Sequence, residues 1–159
     1  MIYLVRHAHA GSKRNWDGPD AVRPLSAAGH REAAGLLVRL RDYPVGRILT
    51  SPTDRCRQTV EPLASQRGLA IEVDEGLGTE GTPGHVLDLL ADEAVSTAVL
   101  CTHGEVIGKV FEHLLAAGLR LPEPPSWPKG STWILDGSGA TVSEARYLEP
   151  LRLEPLGAG

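Results

Sequence analysis

Two arginines and two histidines of this chain lie where the catalytic groups of α/β proteins are commonly found. Arg6 and His7 end the apolar run 1–5, which predicts a buried strand because it is too short for a helix. Arg55 and His103 come shortly after two further apolar runs. In an open α/β sheet, ligands bind beyond the carboxyl ends of the strands. We therefore expect these four side chains at one edge of the sheet.

Together these residue types could bind a phosphoryl group and attack it. A phosphoryl group spreads its negative charge over several oxygens, and the forked donors of arginine bind it better than lysine does. Arg6 and Arg55 suit that role, and the N-termini of following helices would add N–H donors. A neutral imidazole among such donors can attack phosphorus in line and form a phosphohistidine. His7 is the candidate nucleophile, and His103 would stabilise charge on the transferred group.

Length and composition predict one domain whose positive charge is local. The 159 residues are 42% hydrophobic and 23% charged, and the formal net charge is -4. This acidic balance argues against binding to nucleic acid or to an anionic membrane, since both need a basic surface. No apolar run approaches a membrane span of about 20 residues, and the first residues lack a secretory pattern. Cys56 and Cys101 have no disulfide-framework spacing, so we expect a reduced, cytoplasmic protein.

Strands alternate with helices along the chain, and a hairpin follows them. Apolar runs predict strands at 1–5, 47–50, 69–73, 97–102, 131–135 and 141–147. Helical spacing, capping residues and proline positions predict helices at 26–41, 52–67, 83–91 and 105–117. This order predicts a three-layer α/β/α sandwich whose central sheet is mostly parallel with an antiparallel edge. We expect one domain over 1–150 and a loosely attached tail over 151–159.

Four short motifs resemble, in the same order, those of the histidine phosphatase (phosphoglycerate mutase-like) superfamily. They are Leu4-Val5-Arg6-His7-Ala8, Pro24-Leu25-Ser26 with Gly29, Thr50-Ser51-Pro52-Thr53-Asp54-Arg55-Cys56-Arg57-Gln58-Thr59 and Thr102-His103-Gly104. The resemblance implies the α/β fold of that superfamily and a phosphatase that uses neither a cofactor nor a metal. By the same resemblance, His7 is the phosphorylated nucleophile. Arg6, Arg55 and His103 form the phosphate pocket around it.

Two branches of the superfamily are similar to this chain. Its length and short loops resemble the SixA branch, the phosphohistidine phosphatases. The segments 129–133 and 10–13 resemble the histidine-phosphatase domain that is fused to actinobacterial MutT-type Nudix proteins. We expect Gly104, Ser12 and Lys13 to bind the phosphate or the rest of the substrate. That substrate would be a phosphorylated small molecule, a nucleotide or a phosphohistidine protein.

The general acid that protonates the leaving group has two candidates. Many members of the superfamily place a glutamate between the two histidines, and Glu75 and Glu80 occupy that part of the chain. The surrounding pattern fits neither residue well, which is also true of the SixA branch. A weak acid disfavours alkoxide leaving groups, which need a proton, and favours an imidazole or a phosphoanhydride oxygen. The hypothesis is therefore an enzyme for phosphohistidine or for nucleotide di- and triphosphates.

Three other functions stay open. A phosphoglycerate mutase would need extra lid segments to exclude water, and this chain is short. A metal hydrolase could use His7, His9 and His103 as ligands, but two neighbouring arginines would repel the cation. A catalytically weak phosphate-binding or regulatory module could use the same pocket without turnover. The intact set of catalytic residue types favours the phosphatase.

Overall fold

The computed structural model describes residues 1–138 and 141–154, which form a six-stranded sheet with helices on both faces. The strands are β1 (Ile2–Arg6), β2 (Arg47–Thr50), β3 (Ile71–Val73), β4 (Ala98–Thr102), β5 (Thr132–Ser138) and β6 (Thr141–Leu148). The helices are α1 (Ala27–Arg39), α2 (Asp54–Arg67), α3 (Pro83–Ala91) and α4 (Gly104–Ala116). These bounds agree with the predicted elements to within a few residues. Within the described ranges, no helix is both long and apolar enough to cross a membrane.

The sheet has the strand order β3-β2-β4-β1-β5-β6, so β1 and β4 lie at its centre. β1 is parallel to β4, and β2 is parallel to both β4 and β3. β5 lies antiparallel to β1, and β6 lies antiparallel to β5. The predicted three-layer sandwich, with a mostly parallel sheet and an antiparallel edge, is therefore confirmed.

Alternating side chains of β1 explain how the helices cover both faces of the sheet. Ile2 and Leu4 belong to a buried cluster that includes residues of α3 and α4. Tyr3 and Val5 belong to a second cluster that includes residues of α1 and α2. A strand buried on both faces needs an unbroken apolar run, which is what the start of the sequence contains. This packing fixes the strand and, with it, the position of the residues that follow.

The central position of β1 and β4 brings their carboxyl ends side by side. Arg6 pairs with Thr102 in the parallel ladder, and the His7 amide donates to the Thr102 carbonyl oxygen at 3.1 Å. The next residue after Thr102 is His103. The sheet thus places two histidines that are far apart in the sequence next to each other.

Local sequence signals set the ends of two helices. Ser26 precedes α1, and its hydroxyl accepts a hydrogen bond from the Gly29 amide at 3.0 Å, as an N-cap residue does. Gly68 ends α2 with a φ of 66°, in the left-handed region that favours glycine. Both ends agree with the predictions from the sequence.

Two residues of the predicted tail, Arg152 and Leu153, are bonded to α1. The Leu153 amide donates to the Arg31 carbonyl oxygen at 3.3 Å. Arg152 forms an ion pair with the buried Glu32 at 2.9 Å. The last part of the predicted tail, 155–159, lies outside the described residues.

Gly29 lies where α1 touches the loop that follows β1. A Cβ at this position would stand 1.9 Å from the carbonyl oxygen of His9, and a main-chain atom cannot turn aside. We expect Gly29→Ala to lower the free energy of unfolding in urea by about 3 kcal/mol. Gly84→Ala in α3 is the matched control, because the nearest atom there is 4.0 Å away. Equal losses in both variants would contradict the role of the close approach.

Candidate active site

A cavity of about 430 Å³ opens at the carboxyl ends of β1 and β4. Most of its wall is made of charged or imidazole side chains, contributed by strand ends, helix starts and loops. The lining residues are Arg6, His7, Lys13, Asp20, Arg23, Arg55, Thr79, His103, Gly104, Glu105 and Lys129. Such a wall suits a charged ligand.

His7 is buried in the cavity with one ring nitrogen fixed by a hydrogen bond. The side chain belongs to a residue only 6% exposed, and Nδ1 donates to the carbonyl oxygen of Ala8 at 2.8 Å. The proton therefore lies on Nδ1, which leaves the lone pair on Nε2. Burial lowers the pKa of His7 to about 3 against the effect of the Ala8 carbonyl, and His103, Arg55 and Arg6 lower it further. The imidazole is neutral at physiological pH, as a nucleophile must be.

His103 faces His7 across the cavity. The ring centroids are 5.3 Å apart and the ring planes are inclined by 59°. Ser51 Oγ lies 2.9 Å from His103 Nε2, and this contact orients the ring. Gly104, the next residue, starts α4, so the N-terminal end of that helix opens on the same cavity. A Cβ at Gly104 would stand 2.9 Å from Cζ of Arg6, so glycine allows the guanidinium group to approach the helix.

Asp20 holds two arginines at the cavity wall. Arg55 donates to the main-chain oxygen of Asp20 at 2.8 Å and to its carboxylate Oδ2 at 2.9 Å. The other carboxylate oxygen accepts from Arg23 Nε at 3.1 Å. Although partial burial acts to raise it, the two arginines hold the pKa of Asp20 below its usual range. Asp20 is therefore a carboxylate that positions both guanidinium groups.

Arg6 and Arg55, which line the cavity, each have an Nε donor that is unpaired among the described residues. Both atoms are buried, and neither has a hydrogen-bond partner within residues 1–138 and 141–154. Buried N–H donors in proteins are nearly always bonded. Arg6 is fixed by donating to the Trp127 carbonyl oxygen at 2.9 Å, and Arg55 is fixed by Asp20. Two fixed guanidinium groups with spare donors suit the oxygens of a phosphate.

Positive charge dominates this cavity although the whole chain has a formal net charge of -4. Its cationic lining residues are Arg6, Lys13, Arg23, Arg55 and Lys129. The carboxyl groups of Asp20 and Glu105 oppose them. Burial lowers the pKa of Lys129, and the charges of Arg6, Arg23 and Arg55 lower it further. The chain is acidic as a whole, but its cationic side chains are concentrated at this cavity.

Residues 2–79, which include Arg6, His7 and Arg55, match the family described as the histidine phosphatase superfamily (branch 1). This match covers just under half of the chain and supports the predicted resemblance to that superfamily. Its fold is similar to that of the protein histidine phosphatase SixA complexed with tungstate: the TM-score is 0.69, the identity 22%, and the coverage 95% of this chain and 96% of that one. SixA from Agrobacterium tumefaciens is similar with a TM-score of 0.70 and 27% identity over 94% of this chain and 97% of that one. The predicted resemblance to this superfamily and to its SixA-like branch is confirmed.

One curated relative of this chain is the 8-oxo-(d)GTP phosphatase of Mycolicibacterium smegmatis. The two proteins are 29% identical over 154 residues, which is 94% of this chain and 48% of the relative. This chain thus spans about half the length of that protein. The relatives described here are all named as phosphatases.

Most of the site residues predicted from the sequence lie together at the cavity. Those that line it are Arg6, His7, Arg55, His103, Gly104 and Lys13. Within the described ranges, Glu75, Glu80 and Ser12 are not among the lining residues. Both glutamates are exposed. In the loop around Glu80, the preceding residue Thr79 lines the cavity. Ser12 instead lines a separate groove beside Trp16.

Four lining residues were not singled out from the sequence, namely Asp20, Arg23, Thr79 and Glu105. Asp20 and Arg23 are three positions apart, a spacing that allows an ion pair within one turn. Glu105 directly follows the glycine of the second histidine motif, at the start of a helix. Thr79 carries no comparable signal.

His9 is bonded away from the cavity. Its Nδ1 lies 2.7 Å from Ser26 Oγ, and its amide donates to Glu32 at 2.8 Å. Across the part of the chain that the structure describes, no group of three or more His, Cys, Asp or Glu side chains is arranged to hold a metal ion. His7, His9 and His103 therefore do not form a ligand set.

The burial of His7 predicts a loss of stability in acid. Unfolded His7 binds a proton near pH 6.5, whereas the folded residue binds one near pH 3. Above this window His7 is neutral in both the folded and the unfolded state, so it does not contribute to the pH dependence of the free energy of unfolding. Inside the window the unfolded state binds more protons, so the free energy of unfolding falls by up to about 1.4 kcal/mol per pH unit as the pH decreases.

Urea denaturation at about pH 7 and about pH 5 measures this effect. We expect the loss between the two conditions to be smaller in His7→Gln than in the wild type. The exposed His30, changed to glutamine, is the control and should keep the wild-type loss. An unchanged loss in His7→Gln would contradict the assignment of a depressed pKa to His7.

Proposed function

We propose that this chain is a phosphohydrolase that transfers the phosphoryl group of its substrate to His7 and then to water. The observation that carries the proposal is a neutral, buried imidazole beside two fixed guanidinium groups with spare donors. The imidazole supplies the nucleophile, and the donors supply binding of the phosphoryl oxygens. The family and its phosphatase-named relatives support the same reaction class.

In the first step, the lone pair on His7 Nε2 attacks phosphorus in line, and the bond to the leaving group breaks. The hydrogen bond from Nδ1 to Ala8 keeps the ring oriented while positive charge develops on it. Arg6 and Arg55 donate to the phosphoryl oxygens, and His103 adds a further donor beside them. In the second step, water attacks phosphorus, the P–N bond breaks, and Nε2 regains its lone pair.

We expect this reaction to need no metal ion. Positive charge for the transferring group comes from the arginines themselves, and the carboxylate of Asp20 is already bonded to Arg23 and Arg55. A divalent cation at this position would be repelled by the guanidinium groups. Activity should therefore resist chelation.

Cationic charge beyond the needs of one phosphate favours a substrate with a second anionic group. Arg6 and Arg55 can bind one phosphoryl group, which leaves Lys13, Arg23 and Lys129 at the same cavity. The neighbouring phosphates of a di- or triphosphate would lie against these cations. The M. smegmatis relative, which is named for a nucleotide, supports nucleoside di- and triphosphates as the first candidate. A phosphohistidine protein, the substrate in the name of SixA, is the second candidate.

A substrate panel in EDTA, combined with trapping of the phosphoenzyme, tests the proposal. The panel contains nucleoside di- and triphosphates, a phosphohistidine protein, p-nitrophenyl phosphate and 3-phosphoglycerate. We expect release of phosphate despite the chelator and an acid-labile phosphoryl group on the peptide that contains His7. The preferred substrate distinguishes the two candidates.

Three results would overturn parts of this proposal. Phosphate binding without turnover of any compound would favour a regulatory module. Loss of turnover in EDTA would contradict the metal-free route. Transfer of the phosphoryl group to 3-phosphoglycerate, in place of water, would identify a mutase.

A further inference from the structure

We propose that Glu105 is the proton donor for the leaving group, in place of Glu75 and Glu80. The inference rests on the proposed phosphohistidine route, for which the described cavity wall provides two carboxyl groups, Asp20 and Glu105. The chemistry of each carboxyl group decides between them.

Asp20 cannot serve as the proton donor because both of its carboxylate oxygens are engaged. Oδ1 accepts from Arg23 at 3.1 Å and Oδ2 accepts from Arg55 at 2.9 Å. These arginines hold the pKa of Asp20 below its usual range. A proton on this carboxyl group would break the ion pairs that position the phosphate-binding arginine.

Glu105 is an exposed lining residue of the cavity that His7 lines as a buried residue. In-line attack places the leaving group opposite the nucleophile. Because His7 is buried, a leaving group that departs toward solvent is expected to pass exposed lining residues. Glu105 is exposed, lines the same cavity and follows Gly104, against which the Arg6 guanidinium packs. Its charge acts on Arg6, whose pKa burial lowers and Glu105 raises. The carboxyl group is therefore near the phosphate-binding arginine and open to solvent, from which it can exchange protons.

In the two proposed steps, Glu105 first gives up a proton and then regains one. In the first step His7 Nε2 bonds to phosphorus, the bond from phosphorus to the leaving oxygen or nitrogen breaks, and that atom takes the proton of Glu105. In the second step a water molecule gives its proton to the Glu105 carboxylate while its oxygen bonds to phosphorus. The P–N bond breaks, phosphate departs, and the protonated carboxyl group is restored.

The test is the dependence of His7 phosphorylation on the leaving group. Single-turnover phosphorylation is measured for Glu105→Gln and the wild type with p-nitrophenyl, phenyl and alkyl phosphates. The p-nitrophenolate ion leaves without a proton, so its rate should change little. For phenyl and alkyl phosphates, loss of a general acid should slow phosphorylation by about 10²- to 10⁴-fold. A purely structural role of Glu105 would slow all substrates equally.

Glu112→Gln is the matched control, because Glu112 is exposed on the same helix, outside the cavity wall. Its rates should equal the wild-type rates for every leaving group. Equal slowing of all substrates in Glu105→Gln, or no slowing of any, would overturn the assignment of Glu105. If the wild type still forms a phosphoenzyme in that case, the proposed His7 route is unaffected. Absence of any phosphoenzyme in the wild type would instead refute the proposed function itself.

Discussion

His7→Ala is expected to abolish the phosphoenzyme and to lower kcat by about 10⁴-fold or more, because it removes the atom that forms the covalent bond. Arg6, Arg55 and His103 would still bind phosphate, so KM should change far less than kcat. The measurement is steady-state hydrolysis of the preferred substrate, together with mass spectrometry of the peptide around position 7. A large fall in kcat with little change in KM would indicate loss of the nucleophile, whereas a large rise in KM would indicate damage to the phosphate-binding pocket.

His30→Ala is the control for this prediction. His30 is exposed on α1, and its replacement should leave both kcat and the phosphoenzyme unchanged. Far-UV circular dichroism of His7→Ala should match that of the wild type, since β1 is buried through its apolar residues. Turnover that survives in a folded His7→Ala protein would refute the covalent mechanism.

Arg55→Ala is expected to lower kcat/KM by the cost of losing a buried, charge-assisted partner, about 2–5 kcal/mol, or roughly 30-fold to several thousand-fold. Arg55 is 3% exposed and is held in position by its ion pair with Asp20. Arg55→Lys keeps the charge but loses the planar fork, so it should recover part of the loss and not all of it. Phosphate inhibition constants for each variant measure the ground-state share of the effect.

Arg57→Ala tests whether the effect is one of position or of charge. Arg57 lies on α2 two residues from Arg55 and is exposed. Its replacement removes the same charge from the same helix and should change kcat/KM by less than a factor of about two, because exposed charges are screened. A similar loss in both variants would mean that long-range charge, and not contact with phosphate, explains the result.

The positions of His7 and His103 at one edge of the sheet were predictable because the sequence signals for them are local. A central strand of a parallel sheet is buried on both faces and therefore reads as a continuous apolar run. The residues that follow such a run must lie at the carboxyl edge of the sheet. The positions of His7 and His103 at that edge therefore follow from the sequence. The ends of two helices were also predictable, because Ser26 caps α1 with its own hydroxyl and Gly68 adopts the left-handed conformation that ends α2.

The rest of the cavity wall depends on contacts between distant parts of the chain. The ion pair of Asp20 with Arg55 joins a polar loop without periodicity to a helix that begins more than thirty residues later. The path of the loop near Glu80 is likewise set by packing, which turns Thr79 and not the glutamate to the cavity. Position between the two histidines suggested Glu75 and Glu80, but the direction of a side chain in a loop is not encoded by its place in the sequence.

The position of β1 between β4 and β5 has a consequence for how activity is lost. The strand that ends at the nucleophile is hydrogen-bonded on both edges, so its amide protons exchange with solvent when the sheet itself opens. Local fluctuation of the surface loops does not displace His7 from the end of this strand. The position of His7 therefore depends on the whole sheet, and we expect loss of the proposed activity on heating to follow the global melting curve.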